Sequence, residues 1–303
     1  MGESAIHQID ELAAIGKIAN RSRRKERVNR ARTHHRIEEI YRGQAKSGTT
    51  HFHAYATAYI VHRGRRFTVA LTHVEHGADL VDVVKRLLRT ASRAGIRPNL
   101  LLLDRGFYSV AVIRYLQAAR YPFIMPVICR GRRADDPRGP RGTRVFATHN
   151  RHGWFRYTLT SASKRTATVQ ICVHCRNWRG RRNRHGRQTL VYACWGVSPT
   201  TTHWVYQVYR QRFGIETSYR QLHQARIKTS TRDPLLRLLF VGIALLLRNI
   251  WVGVHWHCLS TPRRGGRQLN LHYLRFTTLL IWLVHLAEQI FGINDSVVVR
   301  RLL

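Results

Sequence analysis

The sequence predicts a mixed α/β protein, a sheet flanked by helices, and three observations predict it. The run Leu100 to Leu103, closed by Asp104, is short and continuously apolar, as a strand buried on both faces must be. Before it, residues 51–61 and 66–74 are rich in β-formers and are joined by a turn at 62–65, which makes a hairpin. Helical spacing separates the hairpin from that run, and a second amphipathic helix followed by the apolar run Phe123 to Val127 comes after it. Hairpin, helix, strand, helix, strand is the order of helices packed on a mixed sheet.

Taken in order, the first 20 residues place Ile6, Ile9, Leu12, Ala13 and Ile15 along one side of a short amphipathic helix. Residues 21–36, RSRRKERVNRARTHHR, are basic, nearly devoid of large apolar groups and without a strand pattern. They read as a flexible basic arm, with contact to a DNA backbone as the functional alternative. Leu80, Val83, Val84, Leu87, Leu88 and Ala91 recur at helical spacing over 79–94, with Asp79 at the start and Gly95 as the stop. Asp104 ends a predicted strand, where open α/β sheets carry their function, although an Asp there also caps the helix predicted over Val110 to Ala119.

Residues 130–153 are rich in Gly, Pro and Arg and read as a loop. Three strand-like runs follow, 154–161, 167–175 and 188–197, a β-rich insertion whose loops are full of arginine. Cys172 and Cys175 have half the spacing of a zinc site, with His174 or His185 beside them. The second pair is missing and period two splits the cysteines between faces, so zinc is not expected. Leu235 to Trp256 is strongly apolar. Arg237 and Arg248 interrupt it, which favours a buried core helix over a membrane span, and Tyr273 to Phe291 reads as a second core helix.

Composition narrows the function. The chain has 303 residues, with 52 Lys and Arg against 16 Asp and Glu, a formal charge of +36. Such a surface attracts polyanions, nucleic acid first and an anionic membrane second. Its apolar share of 44% supports a real core and excludes global disorder. Five cysteines are too few and too scattered for a disulfide framework, and the first residues lack a basic-then-apolar leader, so a cytoplasmic protein is expected.

One stretch stands out against this background, YRQRFGIETSYRQLH, Tyr209 to His223. It is helical in pattern, and its Glu216 is the one acid between Asp136 and Asp233. Spacings of three, four and seven put Tyr209, Arg212, Glu216 and Tyr219 or His223 on one face. The plainer reading is a solvated helix with an internal Arg–Glu pair. The chemical reading pairs Glu216 with the strand-end Asp104. Carboxylates brought from separate elements to a sheet edge can hold two divalent cations roughly 3.5–4 Å apart for phosphodiester cleavage.

These residues carry a resemblance. LLLLDRGFYSVAVIRYL, Leu100 to Leu116, resembles the second-aspartate motif of insertion-sequence DDE transposases. The helix resembles the glutamate signature Y-x2-R-x3-E-x6-K of the insertion-sequence-four-like group, its frame falling on Tyr209, Arg212, Glu216 and His223. RGQAKSGTTHFHAYATAY is similar to the segment that follows the first-aspartate strand. The resemblance runs from about Tyr41 to about Ile250. It implies an RNase H-like core over 41–128, completed over 199–260 by the glutamate helix and a core helix. The β-rich insertion then falls at 129–198, a basic segment at 1–40 and a helical segment at 261–303. It further implies Mg²⁺ or Mn²⁺ in a two-metal site, Asp104 and Glu216 as metal-binding catalytic carboxylates, and double-stranded DNA, transposon ends and target, as partner of a homodimer, with no membrane. Tyr209 and Arg212 would contact transposon-end DNA or order the site, and Arg220, His223 and Lys228 would contact the DNA.

The sequence departs from the pattern twice. His223 stands where the signature has Lys, a weaker phosphate ligand at neutral pH because a free His titrates near pH 6.5. More seriously, no Asp lies between Asp10 and Asp79; the acids there are Glu11, Glu26, Glu38, Glu39 and Glu75. The expectation is a copy without its first metal ligand, impaired in cleavage or reduced to a DNA-binding remnant.

Overall fold

A computed structural model describes residues 12–21, 41–46, 49–62, 65–132, 136–139, 141–179, 185–198, 201–229, 231, 233–263 and 266–292. The chain divides into two compact units, Met1–Thr217 and Ser218–Leu303.

The first unit is built on one mixed sheet. Its strands are β1 (Leu12–Arg21), β2 (Tyr41–Lys46), β3 (Thr49–His62), β4 (Arg65–Val74), β5 (Leu100–Leu103), β6 (Phe123–Pro126), β7 (Gly153–Thr160), β8 (Thr166–Arg179) and β9 (His185–Trp195). Their order is β2-β3-β1-β5-β6-β9-β8-β7, with β4 also on β3. The predicted hairpin is present as β3 and β4. β5 is parallel to both its neighbours, β1 and β6. All four of its leucines are buried, which is why the run has no polar alternation. The three strands of the β-rich stretch do not stand apart: β9 pairs antiparallel with β6, so they extend the same sheet.

Helix α1 (Leu80–Arg93) turns Val83, Val84, Leu87, Leu88 and Ala91 inward. The Asp79 carboxylate caps it by accepting from the Val81 N–H at 2.9 Å. Gly95 takes φ +76°, the left-handed conformation that ends a helix at little cost to glycine. Helix α2 (Val110–Ala118) is capped by Ser109 and buries Val112, Ile113 and Leu116. Both helices share a core with Leu101 and Leu103 of β5. This is the helix-on-sheet architecture of the RNase H-like expectation.

Three expectations are corrected. Of the helix expected over the first 20 residues, Leu12–Arg21 is instead strand β1, and residues 1–11 lie outside the described set. Gly16 and Asn20 weaken a helix there, and the place between β3 and β5 satisfies the strand's backbone groups on both edges, a tertiary gain that local apolar spacing does not register. The basic arm over 21–36 falls outside the described residues except for Arg21. The stretch around Glu216 is not one continuous helix. It is α3 (Thr202–Arg210), a 3₁₀ turn over Gln211–Phe213, and α4 (Gly214–Leu222). A Cβ on Gly214 would stand 2.8 Å from Arg66 Nη1 and 3.1 Å from the Tyr59 hydroxyl, so glycine lets these side-chain ends come close to the chain here.

The third correction concerns the second unit. Its helices are α5 (Pro234–Val254), continued by a π turn over His255–Leu259, and α6 (Phe276–Phe291). A small hairpin, β10 (Thr261–Arg263) and β11 (Gly266–Gln268), follows the π turn. α5 buries Val241, Ala244, Leu245, Trp251 and Val252, while Leu236, Leu239, Ile243, Leu246 and Ile250 are exposed. α6 exposes Ile281, Trp282, Val284 and Ile290. Both were expected to be core helices, and each has an outer apolar face instead. Pro234–Leu259 is also long and apolar enough to cross a membrane by length and composition.

Candidate functional site

The site forms where β5 ends. Asp104 stops the strand, and its carboxylate accepts from the Arg105 N–H at 2.7 Å, starting a 3₁₀ turn over Arg105–Phe107. The expected cap of the helix over Val110 to Ala119 is Ser109 instead, so Asp104 serves only the short turn, and the rest of its carboxylate lies at a half-exposed edge. Tyr209 on α3 reaches that edge from the helix side: its hydroxyl donates to the Leu103 carbonyl at 3.1 Å. Burial pushes the Tyr209 phenol well above its ordinary range, although Arg212 draws it back, so it stays a neutral donor.

Arg212 joins the two candidate acids. Its Nη2 donates to Glu216 Oε1 at 3.1 Å, and its Nη1 stands 3.8 Å from Asp104 Oδ1. The Arg212 side chain is 9% exposed, against 36% for Asp104 and 48% for Glu216. The guanidinium is thus the buried member, lying 5.6 Å from the Tyr209 ring and 5.5 Å from the Phe213 ring. The internal Arg–Glu pair is real, but it is one half of a bridge that ends on the strand.

The DNA-contact candidates divide. Tyr209 and Arg212 are buried and engaged inside the protein. Arg220, His223 and Lys228 are exposed, at the end of α4 and just beyond it. Sequence reading missed a group on the β-rich part of the sheet, where Arg176, Tyr206 and Arg210 meet beside His152, His174 and His203. The signal was available in the repeated Arg and His of 176–187, but strand pairing was needed to bring it to α3. Cys172 and Cys175 are both buried, and burial pushes the Cys172 thiol up to about 12.

A pair of divalent cations needs several carboxylate oxygens. Among the described residues no group of three His, Cys, Asp or Glu is placed to hold a metal, and Arg212 lies against both candidate carboxylates. The described residues do not fit a two-metal centre. The strand register shows the gap. β1 runs Leu12 to Ile15 beside Leu100 to Leu103, so the next step along both strands is Gly16 beside Asp104. Asp10, Glu11, Glu26, Glu38 and Glu39 lie outside the described residues, and Glu75 is exposed just past β4.

No curated protein matches this chain. Residues 30–250 match the family model described as the transposase DDE domain, a span that holds Asp104, Tyr209, Arg212 and Glu216.

Proposed function

We propose, since the chain belongs to the transposase DDE-domain family, that Asp104 and Glu216 are the second and third carboxylates of its site and that this copy lacks the first. The family makes the protein a transposase with DNA as its partner and divalent cations such as Mg²⁺ as the family's general cofactor. The finer reading is a member of the insertion-sequence-four-like group, cytoplasmic and nucleoid-bound, that engages transposon ends but is impaired in cutting them. The observation that carries it is Gly16 at the strand position beside Asp104, where a neighbouring strand would present its acid to the same site. The Arg212 bridge supports it further. One cation already lies between the two remaining carboxylates and offsets part of their charge, so they hold their geometry without a metal.

In this reading the chain's own residues do structural work at the site. The Tyr209 hydroxyl locks α3 to the end of β5, and Arg212 sets the spacing of Asp104 and Glu216. Binding to DNA then rests on the exposed cations of a +36 chain.

The test is plasmid cleavage with Mn²⁺ by the chain as it stands and by Gly16→Asp, each with and without Glu216→Gln. The expected result is no cleavage by the native chain, cleavage after Gly16→Asp, and its loss on adding Glu216→Gln. Cleavage by the native chain that Glu216→Gln abolishes would mean that another acid completes the site. Failure of the native chain to bind duplex DNA at all would overturn the functional reading itself.

We also propose that the working form is a homodimer. Leu236, Leu239, Ile243, Leu246 and Ile250 are all exposed on α5 and are spaced three and four residues apart in alternation. That is the seam of a helix that packs along another of the same spacing, and a second copy of α5 has it.

A further inference from the structure

Two arginines without an acidic partner are held over one tyrosine where β8, β9 and α3 meet. Arg176 Nη1 donates to the Tyr206 hydroxyl at 2.6 Å, while Arg176 Nε and Nη2 donate to Gln188 Oε1 at 3.0 and 2.8 Å. The Arg176 guanidinium carbon is 5.5 Å from the Tyr206 ring centroid, and that of Arg210 is 5.6 Å from the same ring. His174 stacks on Tyr206 at 4.8 Å with 14° between the planes, which fixes the ring. Both arginines are exposed.

Among the described residues no acid pairs with this local charge. Residues 137–215 contain 15 Lys and Arg and no Asp or Glu. No ion pair among the described residues involves Arg176 or Arg210. Two exposed guanidiniums gathered at one ring concentrate positive charge at one place, which an anion bound there would offset. His174 is not a source of the charge. Burial first, then neighbouring His152, His203 and Arg176, push the His174 imidazole down to about 4, so it is a neutral wedge at pH 7. What remains is two exposed guanidiniums at one ring, with Arg176 held in place by its bonds to Gln188 and Tyr206. That geometry suits phosphate oxygens, and a duplex presents them in close succession.

We propose that Arg176 and Arg210, set by the Tyr206 ring, form a phosphate clamp for the backbone of duplex DNA, a site other than the Asp104–Glu216 edge. The proposal rests on the DNA-binding reading above and adds the place where the backbone is gripped.

The test is the affinity of the full chain for a fluorescent mixed-sequence duplex, measured by anisotropy across a KCl series. Each phosphate contact contributes about 0.9 to the slope of log K against log salt. Arg176→Gln with Arg210→Gln is expected to make the slope shallower by about two and to weaken binding by roughly tenfold per contact near 0.1 M KCl. Arg89→Gln with Arg93→Gln, an equal charge change on exposed residues of α1, is the control and should move the slope by clearly less. Arg210→Gln alone keeps the Arg176 hydrogen bonds intact and should remove about one from the slope, which covers the case in which the double variant does not fold. Equal slopes for the two double variants, or an unchanged slope after Arg210→Gln, overturn the clamp while leaving DNA binding in place. Loss of binding to phosphatidylglycerol vesicles without loss of DNA binding also overturns it. Absence of duplex binding by the native chain fails the functional reading instead.

Discussion

At the scale of single residues, Arg212 decides the character of the site. It is a buried cation whose two acidic partners are half exposed, so the solvent shares in screening the pair. Arg212→Gln is expected to cost about 1–3 kcal/mol, less than a fully buried ion pair would, by denaturant unfolding. The same variant leaves Asp104 and Glu216 without their cation and should bind Mn²⁺ more tightly than the native chain, measured by calorimetry. Tyr209→Phe removes the bond to the Leu103 carbonyl and should cost about 1 kcal/mol without changing the sheet. His174 sets a pH limit. Its folded value lies near 4 against an ordinary 6.5, so the unfolded chain takes up a proton that the folded chain refuses. Stability is full above pH 6.5 and falls as pH drops toward about 4, and a melting series across that window should flatten in His174→Phe.

At the scale of elements, β5 is the member everything else is set against. It is flanked by parallel strands and covered on its faces, and the residue just past its end is Asp104. Leu102→Ala is expected to cost about 2–5 kcal/mol in unfolding free energy, because a cavity opens where the neighbours cannot close in. β5, α1 and α2 were legible from the sequence because burial on both faces or on one stripe writes itself into residue spacing. β1 was not legible. Its pairing with β3 and β5 is made by backbone groups, which leave no pattern, and Leu12, Ala13 and Ile15 fit a helix equally well. The break between α3 and α4 was missed for a related reason. The local reason for Gly214 is the approach of Tyr59 and Arg66, which come from strands about 150 residues earlier in the chain.

At the scale of the molecule, charge and exposed apolar surface govern behaviour together. A net +36 makes association with DNA steeply salt-dependent. In the homodimer proposed above, the exposed α5 stripe would drive self-association by apolar burial rather than by charge. Leu239→Lys with Leu246→Lys is expected to shift sedimentation from dimer to monomer at high salt, where electrostatic effects are screened. An unchanged mass in both forms would remove this helix as the dimer seam.

The sequence by itself determined the mixed α/β class, the basic surface, the hairpin, the strand ending at Asp104 and the acid-bearing segment of Glu216. These are matters of composition and short-range periodicity, which each residue carries with it. Only the tertiary structure decided that Arg212 joins Asp104 to Glu216, that the β-rich strands continue the main sheet, and that β1 lies parallel to β5 with Ile15 beside Leu103. It also placed Arg176 and Arg210 on one ring. Those are contacts between residues far apart in the chain, and they exist because backbone pairing and core burial bring distant segments to one edge.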